Sequence, residues 1–284
     1  MTKLYIAGAE GFIGSHLQEY VRETTDWEIV PKKEDSPDYV VHLGGNSQID
    51  DSIADSFPVT DDIHTTIMLL NWAKTQKQLK KFLYFSSDEV FGPKEVIEDF
   101  SPSDRYNSHS PYAAGKAACE EMCLAWASTY GVPTVITHCQ NLFGERQPAN
   151  KFVPTVVRCA LTGGRVPIYA SHTVAKRNFL HVRDACSAIM LLLDRGWVRH
   201  KYNIATRFEI RSEDLVRCIA TVLGVKIETE IRLATNVRPG IFLQHGLNGN
   251  KLIELGWDRM PLAISLPTTV RWMAQPENRH WLGL

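Results

Sequence analysis

Short apolar runs alternate along this chain with stretches whose apolar residues recur at helical spacing. Leu4 to Ala7 reads as a buried strand, Gly8 to Gly14 as a glycine-rich turn, and Phe12 to Glu23 as a helix. Trp27 to Val30 and Tyr39 to Leu43 predict the next strands. Thr60 to Lys77 then reads as a helix, Phe82 to Ser86 as a strand, Tyr112 to Tyr130 as a long helix and Thr134 to His138 as a further strand. This alternation predicts an α/β fold: a Rossmann-type, doubly wound parallel sheet with helices on both faces and ligands at the carboxyl ends of its strands.

After about Gln147 the rhythm loosens. Phe152 to Thr162 reads as helix, Val166 to Tyr169 as strand, and Phe179 to Arg195 as a strand followed by a helix, while Arg238-Pro239-Gly240 and Asn248-Gly249 mark turns. The pattern predicts a dinucleotide-binding unit over residues 1–147, rejoined by 177–200, and a smaller mixed α/β lobe from 148–176 and 201–284. No Ser-rich or Pro-rich linker separates the two, so they are expected to interleave around a cleft.

With 284 residues, 44% hydrophobic and 22% charged, the chain can bury a large core, and a formal net charge of -1 gives no reason to expect nucleic acid or a membrane surface as partner. The N-terminus enters a strand within a few residues, so no signal peptide is expected. No apolar stretch approaches the roughly 20 residues of a membrane span, and a cytoplasmic protein is the expectation. Six cysteines scattered through apolar elements read as reduced core filler. No Cys and His spacing suits a metal, so none is expected.

Candidate chemistry begins at Gly8-Ala9-Glu10-Gly11-Phe12-Ile13-Gly14, where G-x-x-G-x-x-G follows a strand and opens a helix. Glycines permit a tight turn and close backbone approach, and the helix N-terminus offers free N–H groups to a pyrophosphate. Some 20 residues further on, an acidic side chain for the adenosine ribose is expected. Pro31-Lys32-Lys33-Glu34-Asp35 offers both signs: Glu34 or Asp35 suits NAD, Lys32 or Lys33 a 2′-phosphate.

A second constellation is Phe85-Ser86-Ser87-Asp88-Glu89-Val90-Phe91-Gly92, followed by Tyr112-Ala113-Ala114-Gly115-Lys116. Tyr112 and Lys116 share one helix face, and an ammonium beside a phenol is expected to lower the tyrosine pKa, making Tyr112 a base for a sugar hydroxyl. Asp88 and Glu89 supply an acid and a base. If the strand continued through them, they would face opposite ways.

These motifs resemble the extended short-chain dehydrogenase/reductase family, and within it the nucleotide-sugar 4,6-dehydratases of the dTDP-glucose type. In that subfamily Asp and Glu follow the Ser/Thr of the catalytic triad, which corresponds here to Ser87, Asp88 and Glu89 with Tyr112 and Lys116. The resemblance implies NAD as cofactor (NADP stays open), against Gly8, Gly11, Phe12, Ile13, Gly14, Leu43, Gly44, Gly45, Tyr112 and Lys116. It implies a nucleotide-diphosphate sugar as substrate, held by Gln48, Asn141, Lys151, Tyr169, Arg177 and Arg238. The implied reaction oxidises C4, eliminates water across C5 and C6 with Glu89 as base and Asp88 as acid, and returns hydride to C6. A homodimer is implied through a four-helix bundle of the helices Thr60 to Lys77 and Tyr112 to Tyr130.

Some positions depart from that pattern. The segment between Trp27 and Tyr39 is shorter than in the family, Gln48 stands where a histidine is usual, and Ile241-Phe242 follow Arg238-Pro239-Gly240 where His-Asp is typical. A nucleotide-sugar 4-epimerase, an atypical dehydratase of the same superfamily and a non-catalytic nucleotide-binding protein stay open as alternatives.

Overall fold

A computed structural model describes residues 1–45, 49–93, 99–169, 176–206, 208–232 and 246–284, apart from the side chains of Asp50 and Tyr169. In its first half the chain forms β1 (Lys3–Ala7), α1 (Phe12–Thr24), β2 (Glu28–Val30), β3 (Tyr39–His42), α2 (Ile49–Ala54), α3 (Phe57–Ala73), β4 (Lys81–Ser87), α4 (Pro111–Tyr130) and β5 (Thr134–Cys139). There follow β6 (Asn141–Phe143), α5 (Phe152–Thr162), β7 (Arg165–Tyr169), β8 (Lys176–His181), α6 (Val182–Arg195) and β9 (His200–Ile204). The last elements are β10 (Glu209–Arg211), α7 (Ser212–Leu223), β11 (Glu228–Arg232), α8 (Asn250–Glu254) and α9 (Leu262–Ala274).

Six strands form one parallel sheet in the order β2-β1-β3-β4-β5-β9. Successive residues of its central strands face opposite layers. Leu83 and Phe85 join Leu4, Ile6, Val41 and Val135 under α1 and α6, whereas Phe82 and Tyr84 join Val40 and Ile136 under α3 and α4. Burial on both faces explains why these strands read as continuous apolar runs. The chain leaves β1 toward β2 on one side and returns to β3 on the other, so a crevice opens at the carboxyl ends of β1 and β3.

The smaller lobe has a three-stranded sheet, β10-β8-β6, and a parallel pair, β11-β7, packed with α5, α7 and α9 around Phe143, Val156, Ile168, Phe179 and Leu266. Here the sequence reading needs correction. β8 pairs with β6 and β10 instead of entering the large sheet, and the strand that rejoins that sheet is β9, which extends past residue 200 to Ile204. The helix expected over Thr60 to Lys77 is α3, three residues earlier at its start, because Pro58 sits in its first turn, where a missing N–H costs nothing. Nor are all six cysteines core filler. All are free, four are buried, Cys159 is half-buried and Cys218 is exposed.

Candidate active site

A cleft of about 310 Å³ opens where β1, β3, β4 and β5 end. Each strand delivers one segment to it: the glycine loop after β1, Leu43 and Gly45 after β3, Ser87-Asp88-Glu89 at the end of β4, and Gln140-Asn141 after β5. α4 adds Tyr112 and Lys116, and α5 contributes Lys151 at its N-terminus.

The glycine loop fits a dinucleotide. Gly8 has φ +90°, a left-handed conformation, and a Cβ there would lie 2.9 Å from the Gly44 nitrogen, which explains why Gly44 backs the loop although it does not line the cleft. A Cβ on Gly14 would run into the Gly8 carbonyl and Ala9, so the helix can approach its own loop this closely only with glycine. Gly11 caps α1 without a side-chain hydrogen bond, and no acidic residue occupies the first turn, leaving the helix N-terminus available to an anion. Of the charged candidates for the ribose, Lys33 pairs with Glu34 at 2.8 Å, and Asp35 accepts the Lys32 N–H at 3.2 Å; none lines the cleft.

The acid pair owes its placement to the end of β4. Regular strand geometry stops at Ser87, and Asp88–Phe91 turn into a 3-10 helix whose first N–H groups include that of Glu89, donated to Ser87 Oγ at 3.3 Å. Asp88 and Glu89 therefore enter the same cleft. Asp88 is buried, and its pKa is pushed up to about 7 by burial first and then by the Glu89 carboxylate, against lowering by Arg177 and by Ser87. Ser87 Oγ donates to Asp88 Oδ1 at 3.2 Å.

Tyr112 is half-buried at the cleft, which it lines together with Ser87. Its pKa is raised, by burial first; Ser87 opposes this, and the carboxylates of Glu89, Asp88 and Asp62 add to it. The expectation that Lys116 lowers this pKa is thus corrected: Lys116 is itself buried, its ammonium pKa held down by burial against Asp62, and it does not overcome the burial of the phenol. The Lys116 Nζ sits 5.5 Å from the Tyr84 ring centroid.

Asn141 and Lys151 line the cleft. Arg177, on β8, lies outside its lining, although its charge reaches Asp88. Gln48, Arg238 and the Tyr169 side chain fall outside the described residues. Sequence reasoning missed Gln140 and Gln147, two buried glutamines on the cleft wall. The position of Gln140 immediately before Asn141, at a strand end, was the available signal. It also missed Asp62, which approaches Gly45 from α3. Among the described residues no group of three His, Cys, Asp or Glu side chains could hold a metal ion, and no helix is long and apolar enough to cross a membrane.

Comparison with known proteins agrees with this architecture. The sequence profile of the NAD dependent epimerase/dehydratase family matches residues 21–205. The chain belongs to that family. A probable dTDP-glucose 4,6-dehydratase of Sinorhizobium fredii is 32% identical over 261 residues, covering 86% of this chain and 74% of that protein. A trifunctional protein of Arabidopsis thaliana, named for UDP-glucose 4,6-dehydratase, 3,5-epimerase and reductase activities, is 29% identical over 326 residues, covering 99% of this chain. This chain spans 48% of that relative's length. Among solved structures, the dTDP-glucose 4,6-dehydratase DesIV of Streptomyces venezuelae, crystallised with NAD and TYD, matches with a TM-score of 0.86 and 27% identity over 99% of this chain and 98% of its own.

Proposed function

We propose that this chain is an NAD-dependent nucleotide-sugar 4,6-dehydratase, a hydro-lyase yielding a 4-keto-6-deoxy sugar nucleotide. The observation that carries this reading is the turn at Asp88–Phe91, which brings two carboxyl groups into the cleft that also holds Tyr112, Lys116 and the glycine loop. Oxidation and reduction alone need no such pair; elimination of water needs both an acid and a base.

Gly8, Gly11, Phe12, Ile13 and Gly14 would hold the pyrophosphate of the cofactor, with Leu43, Gly44 and Gly45 beside its nicotinamide end. When bound, NAD supplies a reversible two-electron oxidation that opens and closes the cycle. The protein's own groups handle the protons. Tyr112, beside Ser87 on the cleft wall, receives the proton of the sugar C4 hydroxyl. The resulting ketone acidifies C5, where Glu89 takes the proton, and Asp88, kept partly protonated by burial near neutral pH, delivers one to the leaving C6 hydroxyl. Glu89, after exchanging that proton with solvent, then delivers one to C5. Asn141 and Lys151, which line the cleft, are assigned to the nucleotide sugar, as are Gln48, Tyr169, Arg177 and Arg238 by the family resemblance. A homodimer through α3 and α4 completes the reading.

The test is incubation with dTDP-, UDP-, GDP- and CDP-hexoses plus NAD in deuterated water, with products read by mass spectrometry. Loss of water with deuterium retained at C5 is expected for one nucleotide. Isomerisation without mass loss would move the assignment to a 4-epimerase, and no conversion would leave a nucleotide-binding role. Replacing NAD by NADP in the same assay tests whether Lys32 or Lys33 favours the 2′-phosphate.

A further inference from the structure

The proton that Asp88 gives to the departing C6 hydroxyl has to come from somewhere, and on the dehydratase reading, on which this inference rests, the same turnover releases one from the C4 hydroxyl. The hydroxyl of Ser87 stands beside both groups concerned: it donates to Asp88 Oδ1 at 3.2 Å, and it shares the cleft wall with Tyr112, whose pKa it lowers. We infer that Tyr112, Ser87 and Asp88 form a proton relay that carries the C4 hydroxyl proton to Asp88 during the oxidation, so that it leaves in the water expelled from C6.

The bookkeeping closes. The relay begins with Tyr112 as a neutral phenol and Asp88 as a carboxylate. As the C4 hydroxyl gives its proton to the Tyr112 oxygen and C4–O becomes a carbonyl, the Tyr112 proton passes to Ser87 Oγ and the Ser87 proton to Asp88 Oδ1. Tyr112 and Ser87 end as they began, and Asp88 is now a carboxylic acid. In the elimination, Glu89 takes the C5 proton, the C5–H electron pair forms the C5–C6 double bond, and the C6–O bond breaks as Asp88 protonates the oxygen. Glu89, whose captured proton exchanges with solvent, restores C5 in the final reduction, and no net proton has been drawn from bulk solvent. The oxidant is the NAD already assigned to the site.

This arrangement needs no phenolate, which fits a tyrosine whose pKa burial raises. The charged and titratable groups acting on the relay are Glu89 beside Asp88 on its own turn, Arg177 from β8, Cys139 from β5 and Asp62 from α3, and Lys116 of α4 lines the same cleft. A fixed hydroxyl bridge also ties the two half-reactions together: the acid is armed only when C4 has been oxidised.

The relay reverses a sign that otherwise follows from Asp88 acting as a pre-protonated acid. If Asp88 is the terminal acceptor, the rate of C4 oxidation, read as reduced nicotinamide in a single turnover, rises with pH through the Asp88 midpoint. Asp88→Asn then slows the oxidation itself by about 100-fold, within the usual range for one proton-transfer group, and abolishes that pH limb. Ser87→Ala has the same effect, and Ser87→Thr, which keeps the hydroxyl, restores it. Asp88→Asn that forms reduced nicotinamide at the wild-type rate and stalls only before water loss would falsify the relay. A second readout needs no turnover. Infrared titration of the Asp88 carboxyl, identified by its absence in Asp88→Asn, should show a higher midpoint in Ser87→Ala, because the Ser87 hydrogen bond lowers it; an unmoved midpoint also overturns the relay. Failure of the dehydratase reading shows separately, as no water loss in the hexose panel.

Discussion

Asp88 is an ionisable group that burial and a neighbouring carboxylate keep partly uncharged at neutral pH, and this has a stability consequence apart from its proposed catalytic role. Its folded pKa of about 7 lies above the ordinary 3.8, so its contribution is intact below about pH 4 and is lost as pH rises through 7. Asp88→Asn should therefore stabilise the protein at pH 8 by on the order of 2 to 4 kcal/mol, visible as several degrees in Tm, and the gain should vanish at pH 4. Thermal melts of both proteins across that range check it. His42 acts in the opposite direction. Buried beneath Gly44, with its pKa held near 3 by burial and then by Lys116, it contributes stability above its ordinary 6.5 that is lost as pH falls toward 3. Gly14→Ala puts a methyl group against the Gly8 carbonyl, and we expect at least a tenfold loss of NAD affinity by calorimetry. Most of this chemistry was legible as residue types: Ser87, Asp88, Glu89, Tyr112 and Lys116 were marked by motif and share one cleft. The protonation of Tyr112 was not legible, because sequence shows a lysine four residues away but not the burial of both side chains.

At the scale of elements, α4 carries more than its proposed catalytic pair. Tyr112, Lys116 and Glu120 recur at four-residue spacing, and Glu120, fully buried, ties the helix to the sheet. Ser86 Oγ donates to Glu120 Oε1 at 2.5 Å, Tyr106 donates to Oε2 at 2.5 Å, His138 Nε2 lies 2.9 Å away, and Lys201 Nζ stands at 3.7 Å. Both His138 nitrogens face acceptors, since Asn203 Oδ1 lies 2.9 Å from Nδ1 while the Asn203 amide N–H is committed to the Phe100 carbonyl. Burial pushes the Glu120 pKa up, but His138, Ser86 and Tyr106 together hold it below the usual range. Glu120→Ala strands these partners, and we expect a loss of about 3 to 5 kcal/mol in urea unfolding, with a smaller loss for Glu120→Gln. The helix itself was readable from its Ser110 cap, Pro111 in its first turn and Gly131 at its end. Glu120 was not, because its partners come from β4, β5, β9 and the segment before α4, and periodicity carries no information across such distances.

At the scale of the whole molecule, the alternation of strands and helices sufficed for the parallel sheet, but not for the lobe sheets, whose short strands β6 and β10 have three residues each and too little pattern to read. The proposed homodimer places α3 and α4 at its interface, and α3 exposes Phe57 at 79% and Met68 at 56% along one side. Met68→Lys should yield monomer by light scattering at micromolar concentration if that face is covered; an unchanged mass, whether monomer or dimer before substitution, rules this interface out.

The sheet order has one more consequence, for how the chain folds. β9 pairs with β5 in parallel, and between them in the chain lie β6, α5, β7, β8 and α6. A parallel partner cannot be reached by a tight turn, so the whole intervening stretch must be laid out before the sixth strand can dock. That stretch also contributes Asn141, Gln147 and Lys151 to the cleft wall. Strands β1 to β5 can assemble early through successive crossovers, but a nascent chain halted at Cys139 holds the glycine loop and the acid pair in a cleft with one side missing. In refolding, the slow docking of β9 and the return of substrate binding should therefore share a single rate constant.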